Sequence, residues 1–225
     1  MKQRLNHLTL LKGVRELARR DEDLARIASK YGPPPLWERE PGFHTLLHII
    51  LEQQVSLASA KAAYNRLEET VHPFTPQNFL MLTDEQLKHI GFSRQKTRYS
   101  RELAQAIIHG SLDVSGLGKL EDEDAKKQLM KIKGIGAWTA DIYVLMALGR
   151  PNIWPKGDLA LEVAIQQVKG WERRPTPEEA KKMSDEWQPW RAVAARLLWH
   201  FYLSERKKGA PSICQDKIVS RRSAH

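Results

Sequence analysis

Apolar residues recur at helical spacing along almost the whole chain, and the breaks between them are marked by glycine, proline and capping residues. Leu5, Leu8, Leu11, Val14 and Leu17 put one apolar face on an opening helix. Tyr31-Gly-Pro-Pro-Pro-Leu-Trp37 then reads as a loop, because consecutive prolines cannot enter a helix interior. Phe43–Gln53 is an apolar helix and Leu57–Leu67 an alanine-rich one, with Ser56 between them as an N-cap. His72-Pro-Phe-Thr-Pro76 is a linker. Thr83 with Gln86 forms a capping box, Gly91-Phe92 ends that helix, and Lys96–His109 is the next. Asp113–Lys119 is a glycine-rich loop.

The run Glu121-Asp-Glu-Asp124 opens a helix that ends at Lys133-Gly134. Its acids suit the positive end of a helix dipole better than a metal. A further helix runs from beyond Gly136 to about Leu148. A loop over Arg150–Lys156 follows, then helices over Leu159–Val168, Pro177–Glu186 and Pro189–Ser204, and a basic tail, Gln215–His225. No segment alternates apolar and polar residues as a strand would. The predicted class is all-α.

Composition narrows the partners. The 225 residues carry a formal net charge of +9, which favours a polyanion, although solubilising surface charge reads equally well. Hydrophobic residues make up 41% of the chain, enough for a core. No apolar run approaches the roughly 18 residues of a membrane span. The N-terminus has no signal-peptide core. A single cysteine, Cys214, excludes an internal disulfide and a cysteine-held zinc or iron–sulfur site. A cytoplasmic, intracellular setting is expected.

The most informative stretch is Lys131-Ile-Lys-Gly-Ile-Gly-Ala-Trp-Thr-Ala-Asp141, followed by Gly157-Asp158. Gly134 and Gly136 permit backbone angles that a Cβ penalises, and they let a phosphate reach peptide N–H groups. The helix beginning near Ala137 adds its positive end. Ile135 can tuck inward and pin the turn, and Lys131 and Lys133 add charge. Such contacts grip a backbone without reading sequence. Gly-x-Gly alone describes an ordinary helix–helix corner; the Trp-Thr-Ala-Asp that follows and the downstream Gly-Asp shift the balance. Asp158 suits either a cap for the helix at Leu159 or a presented acid, and it can be both. A weak internal echo links Glu85–Ser93 to Lys127–Gly136.

With these residues the chain resembles the helix-hairpin-helix DNA glycosylases, and within them the AlkA-type 3-methyladenine enzymes. Ile50–Ser56 is similar to the family's glutamine-containing loop and Leu129–Tyr143 to its hairpin. Ile153–Asp158 is similar to the approach to the catalytic aspartate. Glu186–Arg191 through Trp199–Tyr202 is similar to the closing helix. The resemblance implies a two-lobed fold with the active site in the interlobe cleft. Residues 1–225 would form one catalytic unit, with lobes at 42–148 and at 1–41 plus 149–225. The chain looks like a minimal form without the N-terminal β-domain of larger members.

The resemblance implies that Asp158 assists hydrolysis of an N-glycosidic bond, and that Trp138 and Trp199 line the base pocket. Ile142 falls where a third pocket aromatic is usual, which implies less stacking; Tyr143 beside it points elsewhere, and Trp187 and Trp190 are structural. Trp138 also stands where bifunctional relatives carry a Schiff-base lysine, so no lyase step is implied. Gln54, with Gln53, falls in the loop that fills the gap left by a flipped base, although a polar helix terminus reads as well. Lys133, Gly134, Ile135, Gly136, Thr139, Arg94 and Lys96 are implied DNA contacts; for Arg94 and Lys96 a solvated helix start is the equal alternative. No cofactor is required, beyond a structural sodium or potassium ion held by the main-chain carbonyls of Met130, Ile132 and Ile135. The expected partner is double-stranded DNA with damaged bases, with no membrane, bound by a monomer associated with the nucleoid. The expected function is monofunctional removal of alkylated bases, chiefly 3-methyladenine and 7-methylguanine. The alternatives are a glycosylase for uracil, mismatched or oxidised bases, and a non-enzymatic DNA-binding module.

Overall fold

A computed structural model describes residues 4–207, and the tail Gln215–His225 lies outside them. Among the described residues there are helices, turns and loops, and no strand. The helices are α1 (His7–Arg20), α2 (Glu22–Tyr31), α3 (Phe43–Glu52), α4 (Leu57–Thr70), α5 (Pro76–Leu80) and α6 (Asp84–Ile90). They continue with α7 (Arg94–Ile108), α8 (Asp122–Met130), α9 (Ala137–Met146), α10 (Leu159–Lys169), α11 (Pro177–Ser184) and α12 (Arg191–Lys207).

The expected punctuation sets most boundaries. Thr83 accepts from the Gln86 amide at 3.2 Å while the Gln86 side chain accepts from the Thr83 amide at 2.8 Å, a closed capping box. Ser56 caps α4, and Gly91 ends α6 in the left-handed conformation. The acidic run fits the start of α8, where Asp122, Glu123 and Asp124 pair with Arg150, Lys126 and Lys127.

Several expectations shift. Asn6 caps α1 with a capping box to Thr9, so Leu5 lies before the helix rather than on it. The buried face is therefore Leu10, Gly13, Val14 and Leu17, and Leu8 is 75% exposed. Asp21 ends α1 and caps α2, a break hidden within a run of charged residues. The proline linker contains a short helix, α5, because Thr75 caps it and Pro76 occupies the first turn, where its missing N–H costs nothing. The last helix starts at Arg191, not Pro189.

Packing divides the helices into two sets. α3 packs on α4, α7 and α9, with α5 and α6 on α7 and α8 on α9; α12 packs on α1, α2 and α10, with α11 on α10. The segment between α2 and α3 ties the sets together. Arg196 of α12, only 1% exposed, donates to the carbonyls of Leu36 (2.8 Å), Leu145 (3.2 Å) and Ala192 (3.1 Å). Burial pushes its guanidinium pKa down to about 10. Arg39 donates its amide to Met146 O at 3.2 Å and pairs with Glu52 through two bonds of 2.7 and 3.1 Å. Gly42 N–H donates to the Tyr143 hydroxyl at 3.1 Å.

Removing the Arg196 side chain opens a cavity and takes its donors from the carbonyls of Leu36 and Leu145. Arg196→Ala is expected to lower unfolding free energy by about 3–5 kcal/mol, measured by urea denaturation. A loss under about 1 kcal/mol would show that the clamp does not hold the two sets together.

Candidate active site and nucleic-acid interface

Asp158 sits where the loop from Trp154 turns into α10. Gly157 makes the turn with φ +78°, a region that favours glycine. The Asp158 side chain is the N-cap of α10, accepting from Leu161 N at 3.0 Å. The same oxygen, Oδ1, accepts from Trp199 Nε1 at 3.1 Å, and Oδ2 accepts from Trp138 Nε1 at 2.9 Å. All three neighbours are donors, a set that a carboxylate satisfies. The carboxylate therefore caps a helix and is held between two indoles in one geometry. Asp158 is 9% exposed.

This contact joins the two helix sets. Trp138 lies in the first turn of α9, Trp199 in α12, and Asp158 at the start of α10. The three residues singled out for the pocket and its acid meet. Ile142 is buried on α9, and Tyr143 turns away from it to meet Gly42. Trp187 and Trp190 are buried as structural residues, and Trp187 donates to Asp21 at 2.9 Å.

The hairpin connects α8 to α9. Gly134 has φ +95°, and a Cβ there would lie 2.2 Å from Cγ of Tyr99. Glycine is thus required twice, by conformation and by the ring packed on it. Gly136 differs: its φ is −88°, and a Cβ would meet nothing within 4 Å. Its need for glycine does not come from the backbone angle, which corrects the expectation for this position. Gly136 is instead the uncapped N-cap of α9, with exposed space before the helix's free N–H groups. Ile135 is buried and donates its amide to Ile132 O at 3.0 Å, so it pins the turn as expected. Of the three carbonyls named for a cation, that of Ile132 already accepts this bond.

Three residues expected to contact DNA have internal partners. Gln53 Nε2 donates to Gly134 O and to Thr139 Oγ1, both at 2.9 Å, and Thr139 is buried. This pair staples the hairpin to the end of α3. Lys96 Nζ donates to Leu51 O at 2.6 Å, and partial burial lowers its pKa. Lys133, Arg94 and Gln54 are exposed. Gln54 is held at φ +58°, an uncommon conformation for a side-chain-bearing residue, beside exposed Val55 and Leu57.

Residues 47–189, which hold the Gln53–Gln54 loop, the hairpin and Asp158, match the family described as HhH-GPD superfamily base excision DNA repair protein. The chain belongs to the HhH-GPD superfamily. Among its members, the DNA-3-methyladenine glycosylase of Bacillus subtilis is 29% identical over 82% of this chain, which spans 65% of that protein. The Schizosaccharomyces pombe protein named alkylbase DNA glycosidase-like protein mag2 is 28% identical, with 83% of this chain and 91% of the relative covered. The solved structure of the S. pombe 3-methyladenine DNA glycosylase Mag1, in complex with abasic DNA, superposes with a TM-score of 0.77 at 27% identity, covering 84% of this chain and 95% of that one.

In this HhH-GPD chain the residues that sequence reasoning missed are those on the connector, Trp37 and Arg39, and the arginine that holds it, Arg196. The one signal available was an aromatic residue in a proline-rich loop.

The two hairpin glycines are expected to separate in experiment. Gly134→Ala should destabilise the fold by more than about 1 kcal/mol, whereas Gly136→Ala should leave the unfolding midpoint nearly unchanged and weaken DNA binding. Thermal melts and fluorescence anisotropy with a duplex read both quantities. Equal loss of stability in the two variants would contradict the distinction.

Proposed function

We propose that this protein is a monofunctional DNA glycosylase that hydrolyses the N-glycosidic bond of alkylated bases, chiefly 3-methyladenine and 7-methylguanine, in double-stranded DNA. The observation that carries this reading is the Asp158 carboxylate held between the indole N–H groups of Trp138 and Trp199. The names of the relatives above support the substrate class.

As the base departs, its sugar acquires oxocarbenium character, and a fixed carboxylate stabilises that charge or orients a water for attack. Holding Asp158 by three donors keeps it in position without reorganisation. The indole rings offer electron-rich surface to a methylated, cationic purine, a contact worth on the order of 0.5–2 kcal/mol. Asp158 receives its hydrogen bonds from two indoles and a main-chain amide, none of them an amine. Lys156, nearby in sequence, pairs with Glu178 at 2.8 Å. Trp138 fills the place of a Schiff-base lysine, which favours release of the base without strand cleavage.

The target base must leave the helical stack first. Gln54, exposed and displaced from ordinary backbone angles, is placed to enter the gap. Gly136 and the free N–H groups of α9 receive a phosphate, with Lys133 adding charge. A sodium or potassium ion on the carbonyls of Met130, Ile132 and Ile135 would reinforce that site; hard main-chain oxygens suit such an ion. The protein acts as a monomer and needs no other cofactor.

Asp158→Asn retains an acceptor for Leu161 N and loses the charge. Base release from a duplex carrying one 7-methylguanine should fall by about a hundredfold or more, while affinity for an abasic-site duplex stays within about threefold. Release at the wild-type rate would remove Asp158 from the mechanism. Lys133→Ala should reduce the slope of log affinity against log salt by about one; an unchanged slope would remove Lys133 from the phosphate contacts.

A further inference from the structure

Trp37 has no role in the mechanism above, yet it is unusual in three respects. Its φ is +46°, and Trp37 and Gln54 are the two non-glycine residues with positive φ among those described. A bulky side chain rarely holds that conformation unless the surroundings impose it, and such strain concentrates at ligand sites. Its ring is only partly buried. It also packs edge-on against Trp199, with ring centroids 6.4 Å apart at 74°, and against His200 at 6.4 Å and 64°.

Trp199 is therefore held by two groups. Its N–H points to Asp158, and its ring meets Trp37. Trp138, Asp158, Trp199 and Trp37 form one continuous series of contacts.

The segment bearing Trp37 is anchored on both sides. Leu36, just before it, is fixed to α12 by Arg196. Arg39, just after it, is fixed by Glu52, the last residue of α3 and the neighbour of the Gln53–Gln54 loop. Pro33, Pro34 and Pro35 stiffen the approach. These anchors hold Trp37 against Trp199, on a segment tied on one side to α12 and on the other to the end of α3.

We propose that Trp37 is a wall of the base pocket and a specificity-determining residue. It supplies, from the connector between α2 and α3, an aromatic surface that Ile142 does not supply from α9. The ligand it selects is a flat, electron-poor purine stacked on its indole. This proposal rests on the glycosylase reading above.

Two substitutions test it. Trp37→Gly removes the ring and lets the connector keep its positive φ without strain. Trp37→Phe keeps an aromatic face. Single-turnover release of 7-methylguanine is measured for each, together with affinity for a duplex holding an abasic-site analogue, which offers no base to stack. Trp37→Gly should slow base release about tenfold to a hundredfold, Trp37→Phe should stay within about threefold of wild type, and abasic-duplex affinity should be unchanged in both. Wild-type release by Trp37→Gly would overturn the proposal. So would equal slowing by both variants, or a loss of abasic-duplex affinity that matches the loss of rate. If the wild-type protein itself released no methylated base, the glycosylase reading would fall and this one with it.

Discussion

The carboxylate of Asp158 accepts hydrogen bonds from two indoles and one amide, and the rest of the structure is arranged around that contact. Trp138 reaches it from α9, Trp199 from α12, and the amide belongs to α10. Those helices belong to different packing sets. A buried acid held this way ties the sets together at the point where chemistry would occur. It is part of the fold and, in the proposed function, the group that acts on the sugar.

The surroundings supply the rigidity that such a contact needs. Gln53 holds the hairpin to α3 through Gly134 and Thr139, which fixes where α9 begins and so where Trp138 lies. Arg196 and Arg39 hold the connector across the helix sets, which fixes the segment that touches Trp199. Asp141, three residues beyond Trp138, is buried against Lys126 at 3.0 Å; burial raises its carboxyl pKa and Lys126 opposes that rise. Each link is a polar group inside the protein with a named partner, as low-dielectric interiors require. Lys133, Gly136, Gln54 and Arg94 stay exposed, and the proposed function assigns them to DNA.

Much of this was legible in the sequence where local chemistry decides the outcome. Thr83 with Gln86, Ser56, Gly91 and the inward Ile135 act through neighbours a few residues away, and their roles follow from their type and spacing. The meeting of Trp138, Asp158 and Trp199 was legible only through resemblance, because no local rule brings α9, α10 and α12 to one point. For the polar residues Gln53, Thr139 and Lys96 residue type does not choose the partner, because an amide, hydroxyl or ammonium serves solvent, phosphate or a main-chain carbonyl equally well. Tertiary packing chose the carbonyl for Lys96, and each other for Gln53 and Thr139. Gly136 passed for a conformational glycine because its type does not reveal its φ. Trp37 was passed over because its significance lies in a backbone angle and a contact with Trp199, neither visible in a proline-rich loop.

In the proposed function a fixed carboxylate, with no amine nucleophile, releases the base by hydrolysis. The most direct test incubates the wild-type protein with a duplex carrying one 7-methylguanine in two parallel reactions: one without borohydride, read for free base and for strand breaks, and one with borohydride, read for a protein–DNA adduct. The expected outcome is free 7-methylguanine and a strand that breaks only on later alkali treatment in the first reaction, and no protein–DNA adduct in the second, because no imine forms for borohydride to reduce. A trapped covalent adduct, or a strand cut without alkali, would contradict it.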